Sequence, residues 1–109
     1  MAYKTLTPDN FTNLVNDSKV PVIIDFFADW CGPCKLMTPI FDKLSNVYDG
    51  KLNFLKLDTD AHPELAGRFS VQGIPSLIVL NNGSEVGRIV GFAPEQILKQ
   101  RIDSIIKGL

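Results

Sequence analysis

The sequence predicts an α/β protein: one central mixed β-sheet of about five strands, flanked by about four helices. Three observations carry this reading. Strand and helix signals alternate along the whole chain. Val20 to Ala28 (VPVIIDFFA) is an almost unbroken apolar run rich in branched and aromatic residues, as in a strand covered on both faces. Leu77–Leu80 and Glu85–Val90 flank Asn81-Asn82-Gly83, a strong hairpin signal. A strand–helix–strand unit followed by a hairpin makes the sheet mixed.

In chain order, a short first strand is expected near Tyr3 to Thr5. Thr7-Pro8-Asp9 starts a helix, with a capping Thr, a Pro at the first turn and an acid near the positive end of the dipole. Phe11, Leu14 and Val15 give that helix its apolar face. The strand at Val20–Ala28 follows. From Cys34 to about Tyr48 a long helix is read from Leu36, Met37, Ile40, Phe41, Leu44, Val47 and Tyr48. Pro39 lies inside it, removes one backbone hydrogen bond and is expected to bend it. Gly50 is a stop. Leu52 to Asp58 is the next strand, and Pro63 opens a short helix to about Phe69. After the hairpin, Pro94 opens a last helix with an amphipathic stripe of Ile97, Leu98, Arg101, Ile102, Ile105 and Ile106.

The 109 residues fit a single domain, residues 1–109, and 45% hydrophobic content suffices for one core without disulfide staples. Eleven basic against twelve acidic residues leave a net charge of −1. That balance argues against nucleic acid and membrane surfaces as partners. No apolar run approaches the roughly 18 residues that span a bilayer. Met1-Ala2-Tyr3-Lys4 opens no apolar stretch of signal-peptide type, so a cytoplasmic location is the expectation. No glycine-rich phosphate loop is present, so no bound cofactor is expected.

The two cysteines stand three positions apart, in Trp30-Cys31-Gly32-Pro33-Cys34. A bridge closing so small a loop contributes little stability, so the pair reads as chemistry. Cys31 falls where a strand hands over to a helix. Unpaired N–H groups and the helix dipole there favour a thiolate, the attacking species in disulfide exchange. Cys31 should accordingly be the more exposed and more acidic thiol. Cys34 is at i+3, where side chains approach to about 5–6 Å at Cβ and a disulfide closes readily. Gly32 permits the tight backbone, and Pro33 pre-sets the first helical turn. Trp30 presents a flat apolar surface beside the sulfur. Zinc needs about four ligands, and two Cys with one His do not supply them. The alternative of two inert core cysteines fits the strand-to-helix junction poorly.

Asp25 interrupts the apolar run. It is either a buried carboxyl with a raised pKa, suited to take a proton from Cys34, or an acid reaching solvent at a strand edge. Lys56 alternates with Leu55 and Leu57, as a solvent-facing strand residue would. Pro75 interrupts a strand signal and marks an edge or a turn. His62 reads as a solvated surface residue.

Trp30 to Lys35 (WCGPCK), preceded by Asp25-Phe26 and followed by Gly73-Ile74-Pro75-Ser76, resembles the thioredoxin family over essentially the whole chain. The element order, Pro39, Gly83 and Gly91 fall where members of that family have them. The departures are Phe27 in place of a second Trp, Ser76 in place of the frequent Thr, and a bulky Phe92 beside Gly91. The resemblance implies the thioredoxin fold and a protein-disulfide reductase activity. Cys31 would attack and Cys34 would resolve, with Asp25 as proton acceptor and Lys56 tuning it. Gly32 and Pro33 would form the spacer of the redox disulfide. The bond before Pro75 would be cis and packed against the cysteine pair. Trp30, Gly73, Ile74, Val90, Gly91 and Phe92 would form the docking surface for an extended target segment. The partners implied are a flavin-dependent thioredoxin reductase and disulfide-bearing proteins, with the chain itself a monomer. Rival readings are a non-catalytic binding subunit or holdase, and an oxidase or isomerase of the same fold.

Overall fold

Five strands build one mixed sheet in the order β1-β3-β2-β4-β5 in the computed structural model, which describes residues 3–109. Met1 and Ala2, the start of the stretch inspected for a targeting segment, lie outside the described residues. The strands are β1 (Lys4–Thr5), β2 (Val22–Phe27), β3 (Asn53–Asp58), β4 (Ser76–Asn81) and β5 (Ser84–Val90). β1, β3 and β2 are mutually parallel, and β4 runs antiparallel to both β2 and β5. The helices are α1 (Gly32–Val47), α2 (Pro63–Arg68) and α3 (Glu95–Ile106). The predicted mixed α/β architecture is the one observed.

The apolar run forms the central strand because both its faces are covered. Ile23 packs with Met37, Phe41 and Leu44 of α1, Phe54 of β3, and Leu98 and Ile102 of α3. Val22, Ile24 and Phe26 point to the opposite face, with Leu55, Leu57, Leu65 and Ile78. The hairpin turns on Asn82 and Gly83, both at positive φ (53° and 81°), the geometry a two-residue turn of matching twist demands.

The N-terminal helix departs from expectation. It is a 3-10 turn at Pro8–Asn10 followed by a π-helical turn at Thr12–Asn16. Asn10 causes the tight start: its side chain accepts from the Thr7 N–H at 2.8 Å and donates to the Thr5 carbonyl at 3.0 Å. The wide turn closes with the Asp17 N–H donating to the Thr12 carbonyl, and Phe11 and Val15 reach the core.

Two buried stripes are narrower than the sequence predicts. On α1, Met37, Phe41, Leu44 and Tyr48 are buried at spacings of three and four, whereas Leu36 (63% exposed) and Val47 lie on the outer flanks. On α3, Leu98 and Ile102 are buried, while Ile97 and Arg101 are exposed. Element ends also moved. α1 starts at Gly32 rather than Cys34, because the first-turn amides have no intrahelical partner and tolerate Pro33. The central strand is shorter than Val20–Ala28 at both ends.

Candidate active site

Cys31 and Cys34 are joined as a disulfide, with their Cα atoms 5.2 Å apart. Their placement follows from the strand-to-helix turn. β2 ends at Phe27, the Cys31 N–H donates to the Ala28 carbonyl, and Cys31 becomes the N-cap of α1 in an extended conformation (φ −85°, ψ 110°). Its sulfur accepts a hydrogen bond from the Cys34 N–H at 3.2 Å. A free amide of the first helical turn thus points at the Cys31 sulfur, where a thiolate's charge would reside. Both cysteines are covered in this disulfide state, Cys31 at 4% exposure and Cys34 at 2%. The expected prominence of Cys31 amounts to very little here, because Ala28 and Ile74 pack against the pair.

The segment opposite is Gly73–Ser76. The Ile74–Pro75 bond is cis. The Ile74 carbonyl oxygen lies 3.8 Å from the Cys31 sulfur. The Pro75 carbonyl accepts from the Gly91 N–H at 2.8 Å, and a Cβ at Gly73 would sit 3.7 Å from the Val90 side chain. Gly73, Ile74, Pro75, Val90 and Gly91 are therefore brought together beside the disulfide. Trp30 and Val90 are among the most exposed large apolar side chains (71% and 60%), and Phe92 is also exposed. Trp30 is held by one polar contact: its indole N–H donates to Asp60 Oδ2 at 2.8 Å. Asp60 was not anticipated, because a loop thirty residues away leaves no local signal.

Asp25 is completely buried in the middle of β2. Neither carboxyl oxygen has a hydrogen-bond partner among the described residues. Burial is the main influence on its pKa, which is pushed up from 3.8 to about 7, and the nearby Lys56 ammonium pulls the other way. Of the two readings left open by the sequence, the strand-edge acid is excluded. Lys56 is not solvent-facing either. It is 7% exposed and stands opposite Asp25 in the β2–β3 register. Period 2 along β3 puts it on the same face as Phe54, toward α1. Its ammonium lies over the Phe27 ring at 4.2 Å and donates to Thr38 Oγ1 at 2.9 Å.

A cleft of about 240 Å³ joins these groups, lined by Phe27, Ala28, Asp29, Cys34, Lys35, Thr38 and Lys56. Cys34 and Lys56 both line it, and Asp25 does not. Thr38, a lining residue, was missed. Its signal was the i+4 spacing from Cys34, which puts both on one face of α1. His62 caps α2, partly covered, with its Nδ1 3.8 Å from Glu64, and has no part in the cleft. The larger groove of about 550 Å³ between β5 and α3 contains neither cysteine.

Among the described residues, no group of three or more His, Cys, Asp or Glu could hold a metal ion. No helix among them is long and apolar enough to cross a membrane.

The sequence profile described as thioredoxin matches residues 2–104. The chain is 42% identical to the thioredoxin of Staphylococcus saprophyticus over 103 residues, which cover 94% of this chain and 97% of that protein. It is 37% identical to thioredoxin 1 of Nostoc sp. over 98 residues, covering 90% and 92%. It is also 36% identical to the chloroplastic M-type thioredoxin of Chlamydomonas reinhardtii over 98 residues, covering 90% of this chain and 70% of the other.

Proposed function

Because this chain belongs to the thioredoxin family and is a thiol–disulfide oxidoreductase that reduces protein disulfides, we propose that Cys31 is its attacking thiolate and Cys34 its resolving thiol. The observation that supports this division is the Cys34 N–H aimed at the Cys31 sulfur from the first turn of α1. A donor fixed there stabilises negative charge on Cys31 more than on Cys34, which sits one turn inside the helix.

The reaction then runs in two balanced steps. Cys31 thiolate attacks one sulfur of a target disulfide, forming a mixed disulfide and expelling the first target thiolate. Cys34 loses its proton to the Asp25 carboxylate, attacks the Cys31 sulfur and expels the second target thiolate. The target gains two electrons, and the protein is left with the Cys31–Cys34 disulfide. Asp25 suits the proton transfer because a base titrating near neutral pH is matched to the task. Lys56 tunes that carboxyl through its positive charge.

Gly32 and Pro33 form the spacer, and Pro75 supports the disulfide from the opposite side. Trp30, Gly73, Ile74, Val90, Gly91 and Phe92 make the docking surface, where an extended target segment pairs with the backbone beside Pro75. The whole chain acts as one domain and as a monomer. Its electrons are stored in the cysteine pair without a bound cofactor. A thioredoxin reductase returns the pair to the dithiol, in a cytoplasm that keeps such thiols reduced.

The test uses Cys34→Ser with a disulfide-bearing protein and dithiothreitol-reduced enzyme. The mixed disulfide should accumulate, visible by mass spectrometry on Cys31, while Cys31→Ser should form no adduct and lose reductase activity. Adducts on Cys34 in the Cys31→Ser variant at the rate of the Cys34→Ser variant would reverse the roles.

A further inference from the structure

Asp25 and Lys56 stand opposite each other on adjacent strands, both buried. A buried ammonium within reach of a buried carboxyl ordinarily pairs with it, since each alone is expensive to desolvate. Here no ion pair joins them among the described residues, and both carboxyl oxygens lack a partner. Something else holds the ammonium. Its hydrogen-bond acceptor is Thr38 Oγ1 at 2.9 Å, and its other neighbours are the Phe27 ring at 4.2 Å and the Tyr3 ring at 5.3 Å. The rings fix it by cation–π attraction without compensating its charge. The Thr38 hydroxyl also donates to the Cys34 carbonyl at 3.1 Å. A hydroxyl has one proton to give and lone pairs to receive, so both bonds coexist and fix its orientation.

We propose that Thr38 is a positioning residue. It holds the Lys56 ammonium toward the helical turn that carries Cys34 and off the Asp25 carboxyl, which keeps that carboxyl free to take up the Cys34 proton. The inference rests on Asp25 being the proton acceptor proposed above. Its physical content is a competition. Lys56 has two polar destinations, the hydroxyl on α1 and the carboxyl on β2. Each increment of pairing with the carboxyl would make Asp25 a weaker base. The raised pKa of Asp25 accords with the ammonium being held at a distance.

Other charged groups border the site. Asp29 and Lys35 line the Cys34 cleft, and Asp58 and His62 line the adjoining cleft on the far side of Lys56. All of them persist when only Thr38 is changed.

The experiment follows the Asp25 carboxyl directly, by carbon-13 NMR of the oxidised protein across pH, in the parent, Thr38→Ala and Thr38→Ser. Alanine favours a helix, and the Thr38 side chain is only partly buried, so the variants should fold. In Thr38→Ala the ammonium loses its hydroxyl acceptor and turns to the carboxyl. The Asp25 midpoint should fall by about one pH unit, and Thr38→Ser should restore it. The pH profile of mixed-disulfide resolution should move in the same direction. A midpoint in Thr38→Ala that stays or rises overturns the proposal, as does Thr38→Ser behaving like Thr38→Ala. The carboxyl titration reads the hold on Lys56 whether or not Asp25 is the base. Asp25→Asn resolving mixed disulfides at the parental rate would instead overturn the base assignment, and with it the catalytic meaning of Thr38.

Discussion

The two faces of the sheet are built to different rules. The face under α2 and the N-terminal turns is packed with Leu6, Phe11, Val22, Ile24, Phe26, Leu55, Leu57, Ile78 and their neighbours. Its one buried polar side chain on the strands is Ser76, whose hydroxyl donates to the Gly73 carbonyl. The face under α1 and α3 has an equally apolar interior around Phe41, Phe54 and Leu98. Toward the ends of β2 and β3 nearest the cysteines, however, it buries Asp25 and Lys56. One face therefore buries no ionisable side chain on its strands, and the other buries a carboxyl and an ammonium at a cost in stability.

That contrast can be broken at several points. The largest effect should come from the apolar face. Phe26→Ala deletes a fully buried ring and should cost about 3–5 kcal/mol. Its packing neighbours on that face are apolar, and Asp25 beside it in the chain points to the other face, so urea melts should give the same loss at pH 5 and pH 8. A loss that depends on pH would mean the two faces are not separable.

Next is Asp25→Leu, where the sign depends on pH. Below the ordinary carboxyl pKa of 3.8 both folded and unfolded chains hold the proton, and the carboxyl imposes no pH-dependent penalty. From there up to about 7 the unfolded chain ionises while the native one does not, so stability falls across that window and levels off above it. The variant escapes this loss. It should gain about 1–3 kcal/mol over the parent at pH 8 and little in acid. The gain is less than the whole shift would convert to, because leucine also removes the negative charge that Lys56 faces at that pH. A variant less stable than the parent at pH 8 would make Asp25 a structural residue.

Lys56→Leu sharpens the same point with a smaller effect. The ammonium is what draws the Asp25 pKa down against burial. Without it, the carboxyl midpoint should rise by about one pH unit, read by carbon-13 NMR. An unchanged midpoint would show that solvent screens the pair.

The smallest effect tests whether burial or location matters. Lys43 Nζ and Glu95 Oε1 pair at 3.2 Å across α1 and α3, in solvent. Lys43→Ala should cost under about 0.5 kcal/mol, and less in high salt. A cost comparable to that at Asp25 would mean that the α1–α3 face is sensitive to charge everywhere.

The same contrast explains what could be read from residues alone. Both apolar faces were legible, because the unbroken apolar run of the central strand and the spacings of three and four along α1 are local properties. So was the cysteine pair, whose chemistry depends on four consecutive positions. The burial of Asp25 and that of Lys56 were both left open. Solvent reach depends on what lies across the strand, and thirty-one positions of chain separate the two. Asp60 was missed for the same reason, and so was the tie from Thr38 to Lys56, although the spacing of Thr38 from Cys34 was local. Leu36 and Val47 erred in the opposite direction, because apolar residues on the flank of a helix satisfy a periodic pattern without being covered.

The position of β2 in the sheet carries one more consequence. It is paired on one side with β3 and on the other with β4, so its ladder cannot fray from an edge. Its amides should exchange with deuterium only when the whole molecule opens. The redox turn springs from the end of that strand, and its anchorage is as durable as the fold itself. In the proposed reaction each cycle makes and breaks a covalent bond to a target protein. A pull transmitted through the mixed disulfide meets the last part of the molecule to let go, so the turn should return to the same register after every release.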